Sequence, residues 1–178
     1  MSVSLVLILI GEDKPGLVEL LAQTVAAHEG NWLESRMSRM AGRFAGILRA
    51  SVPEARADAL TEALWALESQ GLRVVVEGST PEDRDKELRR VSLSLVGADR
   101  AGIIRDISRA LASRRINVDD LQTECTSAPM SGEILFNARA SLRIPIDVAI
   151  DELRDALEEI ADDLMADITL GDASETET

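Results

Sequence analysis

Tyrosine is absent from this 178-residue chain, and its only aromatic residues are two Phe and two Trp. Surfaces that stack bases, sugars or flavins are built from such rings, so recognition by stacking has little to work with. A single cysteine, Cys125, excludes an intramolecular disulfide and a cysteine-rich metal site. With one histidine, His28, no Ser-His-Asp or Cys-His set can be assembled. Basic residues are scarce: 19 Lys and Arg face 32 Asp and Glu, a net charge of −13. Nucleic-acid affinity rests on Lys and Arg neutralising phosphates, so the charge argues strongly against direct nucleic-acid binding, and equally against docking on an anionic membrane. No apolar run approaches the roughly 20 residues of a membrane span. Met1-Ser-Val-Ser leads into the short apolar run Leu5–Ile10 with neither a basic start nor a small-residue cleavage site. That segment reads as a strand rather than a signal peptide. The expectation is a cytoplasmic protein with no cofactor and no metal.

What the chain does have is a repeat. Leu5-Val-Leu-Ile-Leu-Ile-Gly11-Glu-Asp13-Lys-Pro-Gly16 returns as Val91-Ser-Leu-Ser-Leu-Val-Gly97-Ala-Asp99-Arg-Ala-Gly102. The register is the same, 86 residues, at Gly11/Gly97, Asp13/Asp99, Gly16/Gly102 and Asn31/Asn117. A period of this length is a small domain rather than a solenoid unit. The boundaries read as a first domain over 1–77, a linker over 78–90, a second domain over 91–170 and a disordered acidic tail over 171–178. Apolar residues make up 46 % of the chain, enough for a core in each half. A half of about ninety residues buries only a marginal one, so the halves are expected to pack together.

Each half reads as β-α-β-β-α-β, the ferredoxin-like unit of an α+β protein, with antiparallel sheets and helices on one face. In the first half the continuously apolar Leu5–Ile10 is a strand. Pro15 opens a helix carrying Leu17, Leu21 and Val25, which stops near Gly30. Leu33–Met40 and Phe44–Val52 form a strand pair around Ala41-Gly42-Arg43. Pro53 opens a second helix with Leu60, Leu64 and Leu67, and Leu72–Val76 closes the unit. In the second half, Ile134, Phe136, Ala138, Ala140, Leu142 and Ile144 alternate with Asn137, Arg139, Ser141 and Arg143, a half-buried strand. Phe136 and Pro145 match Phe44 and Pro53 at an offset of 92, so six residues have entered around Thr126–Gly132. Leu153, Leu157, Ile160 and Leu164 line the last helix, and Asp167–Leu170 is the last strand. Open sheet edges predict one sheet running through both halves or through a homo-oligomer.

Candidates for chemistry are few. His28 reads as a solvent-facing helix residue, and Cys125, in line with Leu121 and Thr123, as a small core residue. The pairs Asp151-Glu152, Glu158-Glu159 and Asp162-Asp163 fall on the polar side of a helix and read as a solvated face. The duplicated turn remains. Gly11 and Gly97 allow a positive φ or a close approach of another chain segment. Asp13 and Asp99 are placed to cap the coming helix. Gly16 and Gly102, in its first turn, leave amide N–H groups uncovered, which suits a carboxylate. Asn31 and Asn117 offer a donor and an acceptor at the start of the second strand. These eight residues are the candidate ligand-binding set; the alternative reading is that they serve only the turn and the cap.

Gly11-Glu-Asp13-Lys-Pro15-Gly16, the following helix and Gly30-Asn31 resemble the signature of the ACT domain, the βαββαβ module that binds amino acids in regulatory proteins. The tandem arrangement, together with Arg36-Met-Ser-Arg-Met-Ala-Gly-Arg-Phe44, is similar to the glycine cleavage system transcriptional repressor family. The resemblance implies a pocket at a sheet edge or domain interface, lined by the strand–helix turn of one domain and the start of a second strand. It implies a non-enzymatic regulator of amino-acid metabolism that binds glycine or serine and acts through a DNA-binding partner. Ala101 replaces Pro15 and Val118 replaces Trp32 in the second copy, so the copies are not expected to bind alike. The competing expectation is an acidic protein–protein adaptor with no small ligand. An enzyme is disfavoured because no catalytic domain is attached, and an RNA-binding sheet because aromatic and basic residues are wanting.

Overall fold

The structure, a computed structural model, describes residues 1–79, 88–128 and 132–172. In the first unit β1 (Ser2–Glu12), α1 (Leu17–Ala27), β2 (Asn31–Met40), β3 (Arg43–Pro53), α2 (Ala57–Ala66) and β4 (Leu72–Gly78) follow in order. In the second, β5 (Leu88–Ala98), α3 (Ile103–Ser113), β6 (Asn117–Ser127), β7 (Ile134–Pro145), α4 (Ile150–Leu164) and β8 (Ala166–Asp172) repeat that order. Each is an antiparallel four-stranded sheet, β2-β3-β1-β4 and β6-β7-β5-β8. The chain divides into two compact units between β4 and β5. Each unit's described strands form one four-stranded sheet. The expected linker falls largely on 80–87 and the expected tail on 173–178, both outside the described residues. Of the expected insertion, 129–131 lie outside them too.

The period-two pattern of the central strands decides which face is covered. On β1, Leu7 and Leu9 are buried while Ile8 and Ile10 are exposed. Leu17, Leu21 and Val25 of α1, with Leu60 and Leu64 of α2, close over the first face. In the second unit Val91, Leu93 and Leu95 meet Ile103, Ile107 and Leu111 of α3 and Leu153 and Leu157 of α4. Burying such a side chain contributes about 1.5–3 kcal/mol relative to leaving it exposed, so these two clusters carry most of each unit's stability.

Two expectations change for local reasons. Pro53 opens no α-helix: it ends β3, a 3-10 turn spans Glu54–Arg56, and α2 begins at Ala57. Cys125 is exposed rather than in the core. It lies on β6, an edge strand whose residues from Leu121 onward are all exposed because the helices do not reach across it. His28, expected in solvent, is the half-buried C-cap of α1, and its Nδ1–H donates to the Thr24 carbonyl at 2.8 Å. Among the described residues no helix is long and apolar enough to cross a membrane.

Candidate functional site

The turn after β1 is held from three sides. The Asp13 amide donates to the Gly42 carbonyl at the β2–β3 turn (3.0 Å), and the Asp13 carboxylate pairs with Arg39 Nε on β2 at 2.8 Å. Lys14 Nζ donates to the Gln70 carbonyl at 2.6 Å, in the 3-10 turn Leu67–Gln70 that follows α2. A cation there meets carbonyls left over at a helical end, the favourable sense of the backbone dipoles. The second copy repeats two of these ties. The Asp99 amide donates to the Ile134 carbonyl (2.9 Å), and Arg100 Nη1 donates to the Asp163 carbonyl near the end of α4 (3.2 Å).

Both glycine pairs are needed, for different reasons. Gly11 and Gly97 have no positive φ. They permit close approach: a Cβ on Gly11 would lie 2.5 Å from the Gly71 carbonyl oxygen, and one on Gly97 would lie 2.5 Å from the Ala166 Cβ. Gly16 and Gly102 adopt φ 91° and 99° and are the N-caps of α1 and α3, one position before the first helical turn expected to contain them. A helical position would require negative φ, and a larger residue at this φ would be strained. Neither helix has a side-chain cap hydrogen bond, so the expected capping by Asp13 and Asp99 is not realised. In the first copy the Asp13 carboxylate is engaged by Arg39 instead.

The amides of the first turn of α1 have no partner within the helix. Before them lies an open cleft of about 450 Å³, lined by Lys14, Pro15, Gly16, Leu17, Leu20 and Gln70. Nothing stands within 4 Å of where a Gly16 Cβ would be. The second copy differs. Arg105 folds back until its Nη2 is 2.9 Å from the corresponding point at Gly102. Its Nε bonds Asp106 Oδ1 at 2.9 Å, and this hydrogen bond, with the guanidinium charge, holds the Asp106 carboxyl below its ordinary range. The same hydrogen bond raises Arg105. The space beside Gly16 is open, and the corresponding space beside Gly102 holds the Arg105 guanidinium.

Asn31 and Asn117 are not beside these turns. Asn31 pairs with Ser51, which pairs with Ser4, seven residues along β1 from Gly11. At about 3.3 Å per residue that is roughly 23 Å. Asn117 stands level with Arg143 and Arg90, the same distance from Gly97. Asn117 Nδ2 also donates to Asp119 Oδ1 at 3.3 Å, an oxygen that accepts from Arg143 Nε. Within either unit the candidate set therefore splits into a turn end (Gly11, Asp13, Gly16; Gly97, Asp99, Gly102) and a far end (Asn31; Asn117).

Residue-by-residue reading missed Lys14, Gln70 and Arg105. Lys14 could have been found, because a basic residue recurs at the same place in the repeat, Arg100. Arg105 has no such signal, since its counterpart in the first copy is Glu19. The acidic residues of α4 from Asp151 to Asp163 are exposed, and no group of three or more potential metal ligands occurs among the described residues.

Residues 4–77 match the ACT domain family. No curated protein matches the chain. Among solved structures, an unknown protein from Galdieria sulphuraria superposes with a TM-score of 0.82 at 25 % identity, covering 97 % of this chain and 99 % of that one. A candidate glycine cleavage system transcriptional repressor superposes with a TM-score of 0.71 at 18 % identity, covering 96 % and 97 %. Residues 4–77 thus match the ACT domain, the second unit repeats the same ferredoxin-like fold, and in architecture the whole chain resembles the candidate glycine cleavage system transcriptional repressor.

Proposed function

We propose that this protein is a non-enzymatic, cytoplasmic regulator that senses a small amino acid, glycine or serine, and passes the signal to a protein partner such as a DNA-binding regulator of glycine metabolism. The observation that carries this reading is the open cleft before α1. There an amino-acid carboxylate meets unpaired first-turn amides with the Lys14 ammonium beside them. The family match over the first unit supports an amino acid as the ligand class, and the fold shared with a repressor supports a regulatory output.

The split of the candidate set gives the regulation a physical basis. Asn31 is too far from Gly16 to touch the same small molecule within one unit, so in this reading it meets a ligand held at the turn end of a second copy of the chain. A ligand bridging two copies favours the arrangement that brings them together, which is the differential binding an allosteric signal requires. The likeness to a repressor and the charge of −13 both fit action through a partner rather than on DNA directly.

Thermal unfolding against single amino acids tests this. A ligand at about 100 times its dissociation constant adds roughly 2.7 kcal/mol, which at this size raises the midpoint by about 2–4 °C per kcal/mol. The expected result is a shift with glycine or serine that Lys14→Ala and Asn31→Ala each abolish. A flat response from folded protein would instead favour the acidic adaptor, with no small ligand.

A further inference from the structure

The helix-free faces of the two sheets differ in chemistry. Residues opposite one another in an antiparallel pair share a face. In the first unit Ile8 stands between Ile47 on β3 and Val75 on β4, with Ile10 beside them on the same face of β1. All four are exposed, at 44 %, 47 %, 47 % and 42 %. The matching positions of the second unit hold Ser94 for Ile8, Arg139 for Ile47 and Thr169 for Val75. The second unit shows that this fold tolerates a polar surface here, so the apolar patch of the first is not a requirement of the sheet. A contiguous apolar patch with a charged border marks a surface that is covered by something.

The border indicates what covers it. Along β4 the residues on this face are Arg73, Val75 and Glu77, opposite Ile10, Ile8 and Val6. A positive charge, an apolar centre and a negative charge in line are complementary to the same line turned end for end. That is the relation a two-fold axis across the strands imposes on a self-complementary interface.

We propose that this face binds the same face of a second copy of the chain, first unit against first unit, as two packed sheets. Ile8, Ile47 and Val75 form the apolar centre, and Arg73 stands opposite the partner's Glu77. Side chains of packed sheets interdigitate across about 10 Å, and β-branched residues fill that layer well. The surface is distinct from the amino-acid cleft, which lies at the amide end of α1 on the helix side of the sheet.

Sedimentation equilibrium of the full chain over a dilution series tests the proposal. The expected wild-type mass is a multiple of the chain's that falls on dilution. The Ile8→Ser, Ile47→Arg double variant, which borrows the second unit's own residues, is expected to halve that mass with an unchanged circular dichroism spectrum. Should it not fold, the exposed positions Arg73 and Glu77 serve. Arg73→Glu should weaken association, and adding Glu77→Arg in the same chain should restore it. A monomeric wild type at every concentration overturns the proposal, as expected if the patch serves a different protein. So does a double variant that keeps the wild-type mass, or a charge swap with no rescue.

Discussion

The two units share a frame and differ on their surfaces. Leu7 and Leu93, Leu9 and Leu95, and Gly11 and Gly97 occupy the same buried places in β1 and β5. One residue away on the same strands, Ile8 and Ile10 stand where the second copy has Ser94 and Val96. At the helix ends, Gly16 opens on a cleft while Gly102 has Arg105 over it. The lesson is that packing and close approach kept the repeat legible, while the residues facing outward were free to take separate work. The first unit has the open cleft beside Gly16 and exposed Ile8, Ile47 and Val75; the second has Arg105 beside Gly102, and Ser94, Arg139 and Thr169 at the matching sheet positions.

The frame should respond equally in both copies. Leu9→Ala and Leu95→Ala each empty a buried leucine site, 1 % and 0 % exposed, and each should cost about 2–5 kcal/mol in urea unfolding. A cost confined to one copy would break the equivalence of the two cores. The glycines come next. Gly11→Ala drives a methyl into a backbone carbonyl at 2.5 Å and should cost about 1–3 kcal/mol by overpacking. Gly97→Ala, meeting the Ala166 side chain first, should cost no more than Gly11→Ala. At the N-caps the copies should part. Gly16→Ala has room but the wrong φ, a cost of about 1–2 kcal/mol, whereas Gly102→Ala must also move Arg105.

The smallest effect is a titration. Arg105→Gln removes the hydrogen bond and charge that depress the Asp106 carboxyl, so its NMR titration should move up toward the ordinary aspartate range near ~3.9. A carboxyl depressed in the folded state stabilises the protein above its unfolded value, and that stability is lost as pH falls through the folded one. The wild type should therefore lose slightly more stability than the variant on acidification below about pH 4. An unmoved Asp106 would mean that Arg105 points elsewhere and that the second helix end is as open as the first.

The sequence carried the fold because period two and the i, i+4 spacing report burial directly. The duplication supplied a second reading of every element, and all eight strands and four helices stand where that reading put them, to within a few residues. Three features were not legible. Cys125 sits on the core side of the β6 pattern, but edge position depends on strand order, which no local pattern states. The capping expected of Asp13 followed from its place before a helix, yet Arg39, 26 residues on, takes the carboxylate. The distance between Gly16 and Asn31 is a matter of register across three strands. The glycines were legible as a set, and only the structure separates those needed for close approach from those needed for their φ.

The central claim is that an amino acid binds at the open helix end of the first unit and not at the covered end of the second. Isothermal titration of the full chain with glycine and serine, repeated on Lys14→Ala and Arg100→Ala, tests it most directly. The account predicts one site per chain, lost in Lys14→Ala and kept in Arg100→Ala. Binding that survives Lys14→Ala but disappears in Arg100→Ala, or no binding by folded wild-type protein, would contradict it.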